Sequence, residues 1–234
     1  MTDQLAIILP CYNPPVGWGT IALDGYQMLQ GKLGFAPKLI VVNDGSPGDL
    51  SEAIQVMQAS IPDFEFIHCE INQGKGAALR HGVAHAEADF YIYTDIDLPY
   101  TVESIGRVYE ALLRGADVVA GVKDEAYYLQ TPTLRRWISK AFRFAIKHLL
   151  SLRISDTQCG LKGFNHRGRA VFLATKIDRY LFDLEFIYQA SKTQNKLQVE
   201  SIKAQLRPGI IFRKMNPKIL LQELKNFVQI LFGL

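Results

Sequence analysis

An α/β fold built on an open, mostly parallel sheet is predicted by three observations. Short runs that are apolar on both faces recur along the first half of the chain, amphipathic stretches of helical length separate them, and the unusual residues gather directly after the apolar runs. Strands buried on both faces belong inside parallel sheets, where crossover helices cover the two sides. With 234 residues, 48% hydrophobic and 21% charged, the composition is globular and supplies enough apolar material for one large core.

The strands are LAIIL (5–9), KLIVVN (38–43), FEFIHC (64–69), FYIYT (90–94) and ADVVAG (116–121), with helices expected over 18–33, 49–60, 74–87 and 101–114. Ligands of such sheets bind beyond the carboxyl ends of the strands. Four consecutive ends carry the conspicuous residues: Pro10 to Asn13, Asn43 to Ser46, Asn72 to Gly76, and Asp95 to Asp97. They are expected to share one rim.

Charge and cysteine usage exclude several classes. A net charge of +3 and a pI of about 8.7 are too mild to argue for a nucleic-acid partner. Cys11, Cys69 and Cys159 are odd in number and far apart, with no CxxC, which points to reduced thiols of a cytoplasmic protein and not to disulfides or zinc. LAIIL follows Thr2, Asp3 and Gln4 directly, so no secretory leader is expected, and no run reaches the roughly 18 apolar residues of a membrane span.

Within YTDIDLPY, extended alternation would turn Asp95 and Asp97 to the same side. Two carboxylates that close repel unless a cation joins them. Magnesium or manganese held by one or two carboxylates plus substrate phosphates meets that condition. The plainer alternative is a solvated turn whose acids cap the helix starting near Thr101. In VVNDGSPGD, Asp44 precedes Gly45 and Ser46 at a strand-end turn, which as a tight turn or N-cap contributes little to the core. In NQGKGAALRHG, Gly74 and Gly76 flank Lys75 at a helix start, where an ammonium and backbone N–H groups suit phosphate. The GxxxxGK[ST] phosphate loop is absent.

ILPCYN, VVNDGS, NQGKGAALRHG, YTDIDLPY and DTQCGLKGF together resemble, in order and spacing, the family-two glycosyltransferases of the GT-A fold. The later motifs are similar to the branch that makes polyprenyl-phosphate sugars, the dolichyl-phosphate β-glucosyltransferases and dolichyl-phosphate mannose synthases. The resemblance covers residues 5 to about 190. It implies a UDP- or GDP-sugar donor, with Pro10, Tyr12, Asn13 and Asp44 around the nucleoside and Gly74 and Lys75 beside it. Asp95 and Asp97 would hold Mg²⁺ or Mn²⁺ and the diphosphate. Inversion by a single in-line displacement is implied as well. YNPP, NDGS and DIDLPY are departures from the family's commoner forms.

The second half bears on the acceptor. From Thr133 to Ser155 the chain carries Arg135, Arg136, Lys140, Arg143, Lys147 and Arg153 and no acid before Asp156. Trp137, Ile138, Ala141, Phe142, Ala145, Ile146, Leu149 and Leu150 recur at helical spacing. Such a basic amphipathic helix either packs on the domain or meets an anionic lipid, and the resemblance places Arg135 and Arg136, with Gln158, at the acceptor phosphate. The catalytic domain is expected over 1–206. A basic segment and a helix with Ile219, Leu220, Leu224, Phe227, Val228 and Leu231 on one face occupy 207–234, either packed on the domain or lying at the membrane.

For the chemistry, Asp156 is matched to the family's acid before GF, with Asp183 and Glu185 as further candidates that could simply open a helix. A hydroxyl acceptor needs a positioned base, whereas a phosphate monoester is already ionised. The expectation is a metal-dependent, inverting transfer of a hexose to polyprenyl phosphate by a peripheral protein at the cytoplasmic membrane face. The alternatives are transfer to a saccharide hydroxyl in cell-surface polysaccharide synthesis and a non-catalytic nucleotide-sugar-binding subunit.

Overall fold

The alternation predicted for the first half is realised in a computed structural model, which describes residues 4–123, 140, 142–144, 146–150, 152, 154, 156–192, 197–208 and 226–232. Strands β1 (Leu5–Cys11), β2 (Lys38–Asp44), β3 (Phe64–Cys69), β4 (Phe90–Tyr93) and β5 (Val118–Lys123) alternate with α1 (Trp18–Leu33), α2 (Ser51–Ser60), α3 (Lys75–His85) and α4 (Val102–Leu113). β1 pairs in parallel with β2 and β4, and β2 with β3. The carboxyl ends of these four strands therefore lie along one edge, the rim the sequence predicts.

Alternation within β1 shows why the run is apolar throughout. Leu5, Ile7 and Leu9 join a core with α1, α2 and α4, while Ala6 and Ile8 point into a second core with α3. Gly34, left-handed at φ 78°, closes α1 with its N–H on the Gln30 carbonyl. Thr101 caps α4 by accepting from the Ser104 N–H. The capping role considered for Asp95 and Asp97 is thus filled by a hydroxyl.

Beyond the fifth strand the structure adds elements that periodicity does not announce. β6 (Lys162–Asn165) inserts antiparallel between β4 and β5, and β7 (Val199–Ala204) extends the sheet parallel to β5. Among the described residues the order is β3-β2-β1-β4-β6-β5-β7. α5 (His166–Leu173) and α6 (Phe182–Lys192) connect β6 to β7. They bring Phe172, Phe182 and Phe186 against Tyr93 and Phe164 in the second core. β6 has only four residues, and β7 is a half-exposed edge strand, so neither shows the long apolar run of the others.

The predicted basic helix is described in part. Residues 142–144 and 146–149 are helical, as are 226–232, and the Phe142 and Phe227 rings lie 5.7 Å apart. Ile146, Leu150, Phe227 and Ile230 are buried in the second core, whereas Phe144, Leu149, Val228 and Phe232 are exposed. Leu149 and Val228 therefore leave the apolar faces assigned to them, because the first segment turns Ile146 and Leu150, and the second Phe227 and Ile230, onto the domain. Arg135, Arg136, Arg153 and residues 209–225 lie outside the described residues. Among the described residues no helix is long and apolar enough to cross a membrane.

Close packing explains one glycine inside β6. A Cβ at Gly163 would lie 2.4 Å from Val108 Cγ1 and 3.0 Å from Leu112 Cδ1, so α4 rests on bare backbone. Gly163→Ala is expected to lower stability by about 1–3 kcal/mol through overpacking. Urea denaturation should show this as a lower midpoint at unchanged slope.

Candidate active site

The rim loops are tied to one another by hydrogen bonds. The Asn13 N–H donates to Ser46 Oγ at 3.0 Å, and the Ser46 N–H donates to Asn43 Oδ1 at 3.0 Å. Asn13 itself is left-handed, φ 44°, a conformation asparagine tolerates. Tyr12 is exposed beside it and Pro10 is half-buried. A cleft of about 420 Å³ on this edge runs between Asn13–Thr20 and Gly48–Val56, and of the predicted donor residues only Asn13 lines it.

Asp44 does more for the fold than a strand-end turn should. It is buried, and its carboxylate accepts from Asn72 Nδ2, the Gln73 N–H and the Gly74 N–H, each at 2.8 Å. Gly45, at φ 68°, turns the chain so tightly that a Cβ would meet the Asn72 nitrogen at 2.6 Å. Asp44 thus clasps the loop that leads into α3, and the expectation that it contributes little to stability is corrected by these bonds.

The start of α3 is also more occupied than the glycines suggest. The Gly76 N–H donates to the Asp178 carbonyl at 2.7 Å and the Ala77 N–H reaches the same oxygen at 3.4 Å. With Gly74 N–H on Asp44, these amides are already engaged, and the expectation that they are free for phosphate is corrected. The charge at this point comes from Lys75. Its Nζ lies 2.5 Å from Asp95 Oδ1 and 5.9 Å from the centre of the Phe182 ring. Burial favours the neutral amine, but the fields of Asp95 and then Asp183 outweigh it and hold the Lys75 pKa above the ordinary lysine value.

Asp95 and Asp97 arrive on a turn and not on extended strand. β4 stops at Tyr93, the Leu98 N–H donates to the Asp95 carbonyl at 2.9 Å, and Leu98 is left-handed at φ 43°. Strand alternation therefore cannot aim the two acids, and that expectation is replaced by the turn. Buried Leu98 lies over α1, where a Cβ on Gly25 would meet its Cδ1 at 2.4 Å. Behind β7, Arg207 Nη2 donates to the Asp97 carbonyl at 2.6 Å and the Arg207 N–H to the Pro99 carbonyl at 2.9 Å. Asp95 and Asp97 are both half-buried.

Residues 156–161 close the other side. Asp156 Oδ2 accepts from the Lys123 N–H at 2.8 Å, and Lys123 Nζ donates to the Gln158 carbonyl at 2.9 Å. The Gly160 N–H donates to Tyr100 Oη at 2.9 Å. A Cβ at Gly160 would lie 2.5 Å from Asp95 Oδ2 and 3.4 Å from Lys75 Nζ, so this segment touches the Lys75–Asp95 pair. Thr157 Oγ1 and Gln158 Nε2 are buried without a hydrogen-bond partner among the described residues.

Beneath this segment lies Lys162, with 0% exposure. Its Nζ donates to the Cys159 carbonyl and pairs with Asp183 Oδ1 at 3.1 Å, the same oxygen that accepts from Tyr93 Oη at 2.5 Å. Sequence reasoning singled out Asp183 but not its partner, because nothing in LKGF marks a lysine as buried. Glu185 is elsewhere engaged: it accepts from the Lys176 and Ile177 N–H groups and from Gln189 Nε2. The three thiols are free, and burial raises the pKa of each, Cys11 to about 11, so none is an activated nucleophile.

The family model described as glycosyl transferase family 2 matches residues 7–169, from β1 into α5. The chain belongs to this family. Among curated family members, a dolichyl-phosphate β-glucosyltransferase of Dictyostelium discoideum is 25% identical over 203 residues, 80% of this chain and 62% of that protein. The mouse protein of the same name is 27% identical over 210 residues, 82% of this chain and 64% of its own length. An undecaprenyl-phosphate 4-deoxy-4-formamido-L-arabinose transferase of Pseudomonas fluorescens is 30% identical over 162 residues, 68% of this chain and 46% of that protein. The chain spans less than two thirds of the length of these relatives. Solved structures show the same fold, GT-A. Glucosyl-3-phosphoglycerate synthase of Mycobacterium tuberculosis, solved with Mn²⁺, UDP-glucose and phosphoglyceric acid, superposes with a TM-score of 0.69 at 13% identity, covering 99% of this chain and 79% of that one. Mannosyl-3-phosphoglycerate synthase of Rubrobacter xylanophilus gives 0.71 at 14% identity, covering 98% and 73%.

Two substitutions test the scaffold of the site. Asp44→Ala leaves the Gln73 and Gly74 N–H groups unpaired, at about 1–3 kcal/mol for a buried donor, and calorimetric melting should show the loss. Lys162→Met strands Asp183 in the interior and should remove about 3–5 kcal/mol. The double replacement Lys162→Met with Asp183→Leu should recover much of this, and a double variant no more stable than Lys162→Met alone would count against the pairing.

Proposed function

We propose that this chain is a metal-dependent, inverting glycosyltransferase that moves a hexose from a UDP- or GDP-sugar to a polyprenyl phosphate at the cytoplasmic face of a membrane. The observation that carries the reading is the contact at Gly160, where the segment holding Asp156 and Gln158 meets the Lys75–Asp95 pair of the rim. Donor and acceptor groups placed on these two pieces would meet at one point. The curated relatives named for transfer to dolichyl and undecaprenyl phosphate support the acceptor class.

In this reading Pro10, Tyr12 and Asn13 flank the nucleoside, with exposed Tyr12 supplying an aromatic face. Asp44 and Gly74 shape the nucleoside pocket through their clasp, and Lys75 faces the diphosphate. The donor set fits a hard divalent ion: Asp95 and Asp97 offer carboxylate oxygens, and the missing side chain at Gly160 keeps Asp95 Oδ2 open. Mg²⁺ or Mn²⁺ held there supplies charge neutralisation for a departing nucleoside diphosphate.

On the acceptor side, the unpartnered Gln158 amide offers a donor to phosphate oxygen, and Arg135 and Arg136 are assigned to the same phosphate. Asp156, held by Lys123, orients the acceptor, and Asp183 positions the segment through Lys162. Glu185 holds the turn at Lys176 and Ile177 and takes no part in the chemistry. Phe144, Leu149 and Phe232 are exposed apolar residues and Lys147 is an exposed cation, a composition suited to anionic lipid. The well-held Asp156 favours a second reading, transfer to a saccharide hydroxyl, in which it would act as base.

Release of UDP or GDP should depend on polyprenyl phosphate and on Mg²⁺ or Mn²⁺ in a donor screen. Charge reversal of Arg135 and Arg136 together should abolish transfer to polyprenyl phosphate while leaving nucleotide binding intact, each lost charged contact being worth about 1.5–3 kcal/mol. Asp156→Asn should reduce the rate moderately with an ionised phosphate as nucleophile. A loss on the order of 10²–10⁴, with the arginine variant active on a saccharide, would put the hydroxyl-acceptor reading in its place.

A further inference from the structure

The Lys75–Asp95 pair raises a question of competition. The ammonium sits on the carboxylate that a divalent ion would need, 2.5 Å from Oδ1, with the bare backbone of Gly160 beside Oδ2. An ammonium and a dication cannot share one carboxylate at that range without strong mutual repulsion. The contact is not sealed: 22% of the Lys75 side chain and 39% of the Asp95 side chain remain exposed, so the lysine head can swing away. A lysine makes such an exchange readily, since its charge sits at the end of a flexible four-carbon stem and needs no fixed bidentate geometry.

We propose that Lys75 is the resident cation of the donor site, competing with the divalent ion for Asp95, and that the nucleotide diphosphate draws it off, so that metal and nucleotide bind strongly only together. This rests on the donor-site reading given above. The amides at the start of α3 are engaged by Asp44 and the Asp178 carbonyl. A diphosphate arriving there finds Lys75 as the mobile positive charge. As Lys75 turns to the phosphates, the Asp95 carboxylate is released and would be one of the groups, with Asp97, that hold the ion. Lys75 stays charged throughout, consistent with the fields of Asp95 and Asp183 that favour its protonated form.

The device predicts a coupling that Lys75 itself creates, and Mn²⁺ paramagnetic resonance reads it without turnover. Titrations of free Mn²⁺, with and without UDP or GDP, would compare the wild type with Lys75→Gln, Lys75→Met and Lys75→Arg, each checked for folding by circular dichroism. In the wild type, Mn²⁺ affinity should rise about 10-fold or more on adding nucleotide. Lys75→Gln and Lys75→Met should bind Mn²⁺ alone about 10-fold more tightly than the wild type, with most of the nucleotide effect gone. Lys75→Arg, which keeps the charge, should bind Mn²⁺ alone as weakly as the wild type.

Wild-type protein that binds Mn²⁺ equally well with and without nucleotide overturns the proposal with no variant needed. So do neutral variants whose affinity for Mn²⁺ alone is unchanged while nucleotide-dependent binding persists, and that result leaves the donor site standing. Absence of Mn²⁺ binding in every protein, with either nucleotide present, removes the donor-site reading and this inference with it.

Discussion

Lys162 stands at the first position of β6 with no surface open to water, and the surroundings of its ammonium group follow from that burial. Removing such an ion from solvent costs several kcal/mol unless its charge and its N–H groups are met. The structure meets them with Asp183 from the first turn of α6 and the carbonyl of Cys159, and Tyr93 from β4 completes the shared carboxylate oxygen. β4, the first turn of α6 and the stretch from Cys159 to Lys162 are thereby held together, with Cys159 fixed close to Lys162. Because Cys159 is fixed there, the next residue, Gly160, is delivered against Asp95. The meeting of the rim with the 156–161 segment thus rests on the satisfaction of this buried charge together with the bonds to Tyr100 and Lys123.

The rest of the site is assembled from exchanges between neighbouring strand ends. Asp44 reaches from β2 to the loop before α3, Ser46 accepts from Asn13 after β1, and Lys75 spans from α3 to the turn after β4. Parallel strands make this possible, because all their carboxyl ends emerge on the same side. The segment after β7 then returns to brace the turn through Arg207.

The parts legible in the sequence are those with a local signature. Strands covered on both faces give unbroken apolar runs such as KLIVVN, and the rim follows once those runs are read as parallel. The motifs at four strand ends could be found because each is contiguous. The partner that each motif residue chooses was not legible. Asp44 bonds to residues 72–74, Gly76 to the Asp178 carbonyl and Lys162 to Asp183, pairings set by tertiary approach with no period to betray them. β6 and β7 escaped for a related reason, one being four residues long and the other a half-exposed edge. The turn that carries Asp97 was not legible either, since it depends on where Leu98 is anchored.

That anchor ties the rim to the packing of α1. A leucine in the left-handed region carries roughly 1–2 kcal/mol of backbone strain, and Leu98 is kept there by burying its side chain over the bare backbone of Gly25 in α1. The geometry of an acid at the rim is therefore written partly in a glycine more than seventy positions earlier in the chain. To a map of contacts, Gly25 looks like ordinary helix packing. A larger residue there would have to displace the Leu98 side chain that anchors the turn carrying Asp97.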